Sequence, residues 1–169
     1  MVEPTTDIPE QVTLAFAAIG VTPTSYAHDE VATVEAQGAV LGSLPGTLTK
    51  NMFLRDKKHG LFLLTVKADR EVNMKSVAAM LKLSGANLRF GDEELLMAKL
   101  GVVRGSVSPL AVVTDVEGDV KFAIDKALLR AEIVNVHPMR HDRTTALAPA
   151  DLVKYVTHAK HEPIELDFD

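Results

Sequence analysis

The chain has 169 residues, 47% apolar and 24% charged, which suits one globular domain that buries a core without covalent staples. It contains no cysteine, which excludes disulfides, thiolate zinc and thiol catalysis. The net charge of −5 argues against tight, non-specific nucleic-acid binding, and no apolar run approaches the ~20 residues of a membrane span. The opening MVEPTTDIPE is acidic and lacks the basic-then-apolar pattern of a signal peptide, so cytoplasm is the expected compartment and no membrane partner is expected.

In chain order, apolar positions at three- and four-residue spacing predict a helix over residues 8–19, with Asp7 as N-cap and Gly20 at its end. Residues 24–28 read as a short strand and 33–44 as a second helix, stopped by Pro45-Gly46. The chain is organised around residues 44–66. Phe53-Leu54 and the run Leu61 to Val66 are strand-like, joined by the polar Arg55-Asp56-Lys57-Lys58-His59-Gly60, which predicts a hairpin with a loop of more than two residues. A helix over 74–83 comes next. Another runs from 91 to 100, its Asp92, Glu93 and Glu94 complementing the positive end of the dipole. Residues 110–114 and 120–124 read as two strands of a second hairpin, 132–137 as a further strand, and 149–158 as a last helix with proline in its first turn. No repeat, low-complexity tract or long linker interrupts the pattern. The expectation is one mixed α/β domain over 1–169.

Several familiar chemistries are absent. Gly105-Ser106-Val107-Ser108-Pro109 ends in proline where a nucleophile elbow needs glycine, and there is no phosphate-binding or dinucleotide-binding glycine pattern. His137 and His141 are separated by Pro138, which speaks against one helical face, so neither a metal nor a cofactor is expected. Lys50 follows the Pro45-Gly46 turn into an apolar strand. Spacing leaves two readings, a lysine snorkelling to water or an ammonium held over a pocket. His137 is a backbone-bonded core histidine or a pocket residue, and Asn135, on the same strand face, goes with it. Thr144 and Thr145 start the last helix or join that pocket. Basic residues cluster at Arg55, Lys57, Lys58 and His59, at Arg140, His141 and Arg143, and at His158, Lys160 and His161.

The segment PGTLTKNMFLRDKKHGLFLL resembles the lysine-asparagine signature of the YbaK/ProX family, the freestanding relatives of the prolyl-tRNA synthetase editing domain. Further matches come in order along the chain: Phe90-Gly91-Asp92-Glu93-Glu94-Leu95; Leu100 to Pro109 with the Gly-x-x-x-Pro loop; Asn135-Val136-His137-Pro138; and Thr144-Thr145-Ala146-Leu147 with Asp151-Leu152. The resemblance runs from about residue 26 to 163. It implies a YbaK-like fold, mixed α+β, with a largely antiparallel, barrel-like sheet surrounded by helices.

It also implies an aminoacyl-tRNA deacylase with Lys50 and Gly105 in the catalytic centre. Asn51, Ser106, Val107, Ser108, Pro109, Asn135, His137, Thr144 and Thr145 would bind substrate. Arg55, Lys57, Lys58, Arg140 and Arg143 would meet the RNA. The reaction needs a placed water and a stabilised oxyanion, and Lys50 is assigned orientation and charge stabilisation rather than proton abstraction. The Asn-x-His-Pro motif with the threonine pair is most similar to the PrdX/ProXp-ala branch, which acts on alanyl-tRNA(Pro). The alternatives are a Cys- or Ser-tRNA deacylase on the same scaffold and a non-catalytic tRNA- or synthetase-binding module. The implied partners are the acceptor end of mischarged tRNA(Pro) and, transiently, prolyl-tRNA synthetase. His141 and Arg104 depart from the branch, which carries a small polar residue and a proline at those positions.

Overall fold

The computed structural model describes residues 2–31 and 33–169. The elements in chain order are β1 (Glu3–Thr5), α1 (Glu10–Ala18), β2 (Thr24–Ala27), α2 (Val34–Leu41), β3 (Thr47–Asp56), β4 (Gly60–Lys67), α3 (Met74–Met80), β5 (Arg89–Phe90), α4 (Glu93–Leu100), β6 (Val120–Asp125), β7 (Val134–Val136), β8 (Arg143–Leu147), α5 (Pro149–His158) and β9 (Ile164–Leu166). Two 3-10 helices, Pro109–Thr114 and Lys126–Arg130, complete them. This is the mixed α+β architecture the resemblance implies. One sheet of nine strands runs β1-β2-β8-β7-β3-β4-β6-β9, with β5 added beside β3. Five of its pairings are antiparallel; β3–β7, β4–β6 and β6–β9 are parallel.

β3 is the axis of the sheet because its side chains alternate between two cores. Phe53 packs in one core with Leu63, Phe122, Leu96, Leu100, Val12, Phe16 and Tyr155. Its neighbour Leu54 packs in the other with Phe62, Leu64, Val66, Val77 and Leu88. A slip of one residue would exchange every one of these partners, so the β3–β4 register is fixed: Lys50 opposite Val66, Asn51 opposite Thr65, Phe53 opposite Leu63. The entry turn is equally constrained. Gly46 has φ +102°, and a Cβ there would stand 2.7 Å from the Ile133 side chain, so only glycine lets β3 approach β7.

Local signals set most helix starts. Thr33 accepts from Ala36 N–H at 3.0 Å, Asn73 from Ser76 N–H at 3.1 Å and Asp92 from Leu95 N–H at 2.7 Å. Asp7 is not the cap of α1. Pro9 occupies that position without a side-chain bond, and the Asp7 carboxylate instead accepts from Arg143 at 2.8 Å. Residues 110–114 are not a strand. They form a 3-10 helix opened by Pro109, with the Ser108 hydroxyl accepting from Leu110 N–H at 3.0 Å. A short apolar run buried on all sides looks the same as strand or helix in sequence. The second hairpin therefore does not exist: β6 lies parallel to β4 and β9. Thr144 and Thr145 belong to β8, between β2 and β7, and do not start α5.

Candidate active site

The sheet leaves an opening beside β3. On one side β4 pairs with it from Thr49 to Asp56. On the other, β7 pairs only with Thr47 and Leu48, and β5 only with Leu54 and Arg55. A cavity of about 560 Å³ fills the space between, walled by the five consecutive residues Thr49, Lys50, Asn51, Met52 and Phe53. Facing them are Val31, Thr33, Val34 and Gln37 from the α2 region, Phe90, Gly91 and Leu96 from the β5–α4 region, Arg104, Gly105 and Val107 from the loop after α4, and His137. The volume exceeds that of an amino-acid side chain and suits a small ligand with part of its carrier.

Lys50 is half-buried in this wall, and no described carboxylate pairs with it. Gly105 has φ +90°, a conformation that bulky L-residues resist. Within the loop the Ser106 N–H is spent on the Val103 carbonyl at 3.0 Å, whereas the N–H groups of Gly105 and Val107 meet no described acceptor. His137 is buried, its Nδ1–H donating to the Arg143 carbonyl at 2.8 Å. Burial pushes its pKa down to about 4, so the ring is neutral at pH 7 and presents Nε2 as an acceptor. The described lining carries the cations Lys50 and Arg104 and no carboxylate. Arg104 is paired with Glu93, outside the lining, at 3.5 Å, which leaves Lys50 as the lining's cation without a described ion pair.

The other expected site residues stand behind this wall or away from it. Ser106 is buried and bonded to His141 Nδ1 at 2.9 Å, and His141 Nε2 reaches Glu30 at 3.3 Å. Ser108 and Pro109 open the 3-10 helix. Asn135 Nδ2 donates to the Pro45 carbonyl at 3.0 Å, holding the turn before β3, while its buried Oδ1 has no described partner. Thr145 bonds Ser25 and Thr144 bonds His28 Nε2, each at 2.8 Å. The His28 ring lies 6.3 Å from that of His137, so the threonine pair supports the histidine from behind. Asn51, by contrast, is in the wall itself, its Oδ1 accepting from the Thr65 hydroxyl across the hairpin.

Among the basic residues, Arg55 and Lys57 line a second cavity of about 370 Å³ with Asn87, Arg89, Phe90 and Asp92. Phe90 is 64% exposed and borders both cavities. Lys58 is exposed beside them, its N–H held by Asp56 at 3.0 Å. Arg140 and Arg143 are elsewhere and already paired, Arg140 with Asp142 at 2.8 Å and Arg143 with Asp7 at 2.8 Å. Sequence reasoning did not single out Gln37, Thr33, Val34, Phe90 or Arg89 as site residues. Phe90 stands in the Phe-Gly-Asp-Glu-Glu-Leu segment, which by itself reads only as the opening of a helix; the others carry no local signal.

Residues 28–155 match the profile of the aminoacyl-tRNA editing domain. This chain belongs to the aminoacyl-tRNA editing, or YbaK/ProX, family. It is 41% identical over 156 residues to prolyl-tRNA synthetase associated domain-containing protein 1 of Bos taurus, covering 90% of this chain and 91% of that one. It is 32% identical over 130 residues to the prolyl-tRNA editing protein ProX of Acetoanaerobium sticklandii, covering 76% and 78%. In fold it is similar to a solved structure described as a candidate trans-editing enzyme for prolyl tRNA synthetase, with a TM-score of 0.70 over 93% of this chain and 94% of that one at 18% identity. In this editing domain the lysine-asparagine strand and the Gly-x-x-x-Pro loop face one another across a single cavity.

Proposed function

We propose that this protein is a cytoplasmic trans-editing deacylase that hydrolyses the ester of mischarged alanyl-tRNA(Pro). The observation that carries the proposal is the convergence of Lys50, the Gly105 loop and neutral His137 on one cavity whose described lining has no carboxylate. An aminoacyl ester is activated toward water, so the site must orient it and stabilise charge rather than generate a strong nucleophile. Water adds to the ester carbonyl, and the oxygen of the tetrahedral intermediate becomes anionic. The Lys50 ammonium and the N–H groups of Gly105 and Val107 stabilise that oxygen. The intermediate collapses by breaking the bond to the ribose oxygen, which takes up the proton lost by the water. Alanine and uncharged tRNA leave.

Ser106, Ser108 and Pro109 act through the shape of the loop, and Asn135, Thr144 and Thr145 through the placement of β3 and His137. Arg55 and Lys57 line the second cavity, which shares Phe90 with the first, and together with the neighbouring Lys58 they meet the acceptor end of the RNA. Arg140 and Arg143 reach a phosphate only by giving up Asp142 and Asp7. The names of the relatives support prolyl-tRNA synthetase as the transient partner. The test is deacylation of Ala-, Ser-, Cys- and Pro-tRNA(Pro) by the purified protein. Alanyl ester should be cleaved fastest and prolyl ester negligibly. Faster cleavage of the cysteinyl ester transfers the assignment to a Cys-tRNA deacylase, and binding without cleavage leaves a tRNA-binding module.

A further inference from the structure

The gap beside β3 exposes main chain as well as side chains. Thr47 N–H bonds Ile133, Thr49 C=O receives the Gln37 amide at 2.9 Å, and Phe53 C=O receives Gly91 N–H at 2.9 Å, all on the edge away from β4. The intervening Leu48 bonds the other way, its carbonyl accepting from Ala68 at the end of β4. Strand alternation therefore turns the N–H and C=O of Asn51 toward the cavity edge, and no described group meets either. Gln37 closes this edge at Thr49 and Gly91 closes it at Phe53. The donor–acceptor pair of Asn51 is left open between them, and the Phe53 N–H beside it also meets no described acceptor.

We propose that this open pair binds the aminoacyl group as one residue of an added antiparallel strand. An α-amino acid ester carries an N–H donor and a C=O acceptor on the same carbon, the pair that a strand residue offers to its opposite number. Its α-ammonium donates to the Asn51 carbonyl, and its ester carbonyl accepts from the Asn51 N–H. The carbonyl is thereby fixed beside Lys50, whose side chain leaves the adjacent β3 position. The Asn51 Oδ1 is already taken by the Thr65 hydroxyl, so the side chain offers only its Nδ2. The site thus recognises the α-amino acid backbone through main chain, independently of the side chain the cavity selects.

This inference rests on the deacylase assignment, and the experiment separates the two. The intact protein is assayed with alanyl-, lactyl- and propionyl-tRNA(Pro), each rate divided by that ester's spontaneous hydrolysis. Lactyl ester keeps a donor on the α-carbon and propionyl ester has none. Propionyl-tRNA should fall about 10- to 100-fold below alanyl-tRNA, with lactyl-tRNA between them. In a second arm, Asn51→Ala measures the side-chain share. Asn51→Pro also removes the N–H, which lies off the β3–β4 ladder, and should lower kcat/KM at least a further tenfold with thermal unfolding checked in parallel. Equal corrected rates for alanyl and propionyl esters overturn the strand-edge site while leaving the deacylase intact. No cleavage of alanyl-tRNA by the wild-type protein overturns the deacylase and this site with it.

Discussion

Lys50 and His137 share a cavity but are placed for opposite reasons. Lys50 sits on the cavity wall of β3 with its ammonium unpaired by any described carboxylate, so its charge is available to a ligand. Lys50→Ala should preserve the fold and lower the single-turnover deacylation rate by about 10²–10³-fold, the usual cost of one oxyanion-stabilising donor; a folded variant at the wild-type rate removes Lys50 from the mechanism. His137 is held neutral by burial, with a pKa of about 4. Between that value and the ordinary histidine range, the unfolded chain binds a proton that the native protein does not. Stability is thus fully present above about pH 6.5 and declines as pH falls toward 4, by roughly 3 kcal/mol in all. Urea unfolding at pH 7, 5.5 and 4.5 should show this decline in the wild type and a shallower one in His137→Gln.

At the scale of elements, two buried polar contacts hold the pieces around the site. His161, just past α5, bonds the Asp115 carboxylate at 2.8 Å with both side chains 2% exposed. Asp115 in turn accepts from the N–H groups of Asp119 and Val120, and so ties the end of α5 to the start of β6. His161→Ala should cost about 3 kcal/mol, because it leaves a buried carboxylate short of a partner; a loss below about 1 kcal/mol in urea unfolding would mean that water replaces the imidazole. The β3–β4 turn is held in the same manner. Asp56 accepts from Lys58, His59 and Asn87 N–H groups, which hold its carboxyl below the usual range and set the tip beside the second cavity. Because that tip carries Lys57 and Lys58, their reversal to glutamate should raise the tRNA concentration needed for half-maximal single-turnover cleavage.

Across the whole molecule, a net charge of −5 coexists with a pocket whose lining holds Lys50 without a described ion pair. Association with tRNA should be weak and salt-sensitive, each phosphate contact contributing about 0.7–0.9 log units of affinity per log unit of salt. The ion pairs decide which basic residues contribute. Arg140 and Arg143 are engaged by Asp142 and Asp7, whereas Lys57 and Lys58 carry no described ion pair. Neutralising Lys57 and Lys58 should therefore flatten the salt dependence of tRNA binding more than neutralising Arg140 and Arg143. Filter binding at four salt concentrations checks this, and equal slopes for the two double variants contradict it.

What the sequence determined by itself was local. Thr33, Asn73 and Asp92 cap their helices because a side chain three residues away from an open N–H needs no distant partner. The β3–β4 hairpin was legible because alternation across two apolar faces admits one register, and the ordered motifs placed Lys50, the Gly105 loop and His137 in one family pattern. Only the tertiary structure decided what depends on distant partners. The run 110–114 became a 3-10 helix under Tyr155, whose hydroxyl donates to the Leu110 carbonyl at 2.8 Å; Thr144 and Thr145 became a strand because β2 and β7 bracket them. Asp7 left its expected cap for Arg143, at a separation of 136 residues. The cavity itself is the stretch of β3 that neither β7 nor β5 covers, and a gap between pairings has no residue pattern of its own.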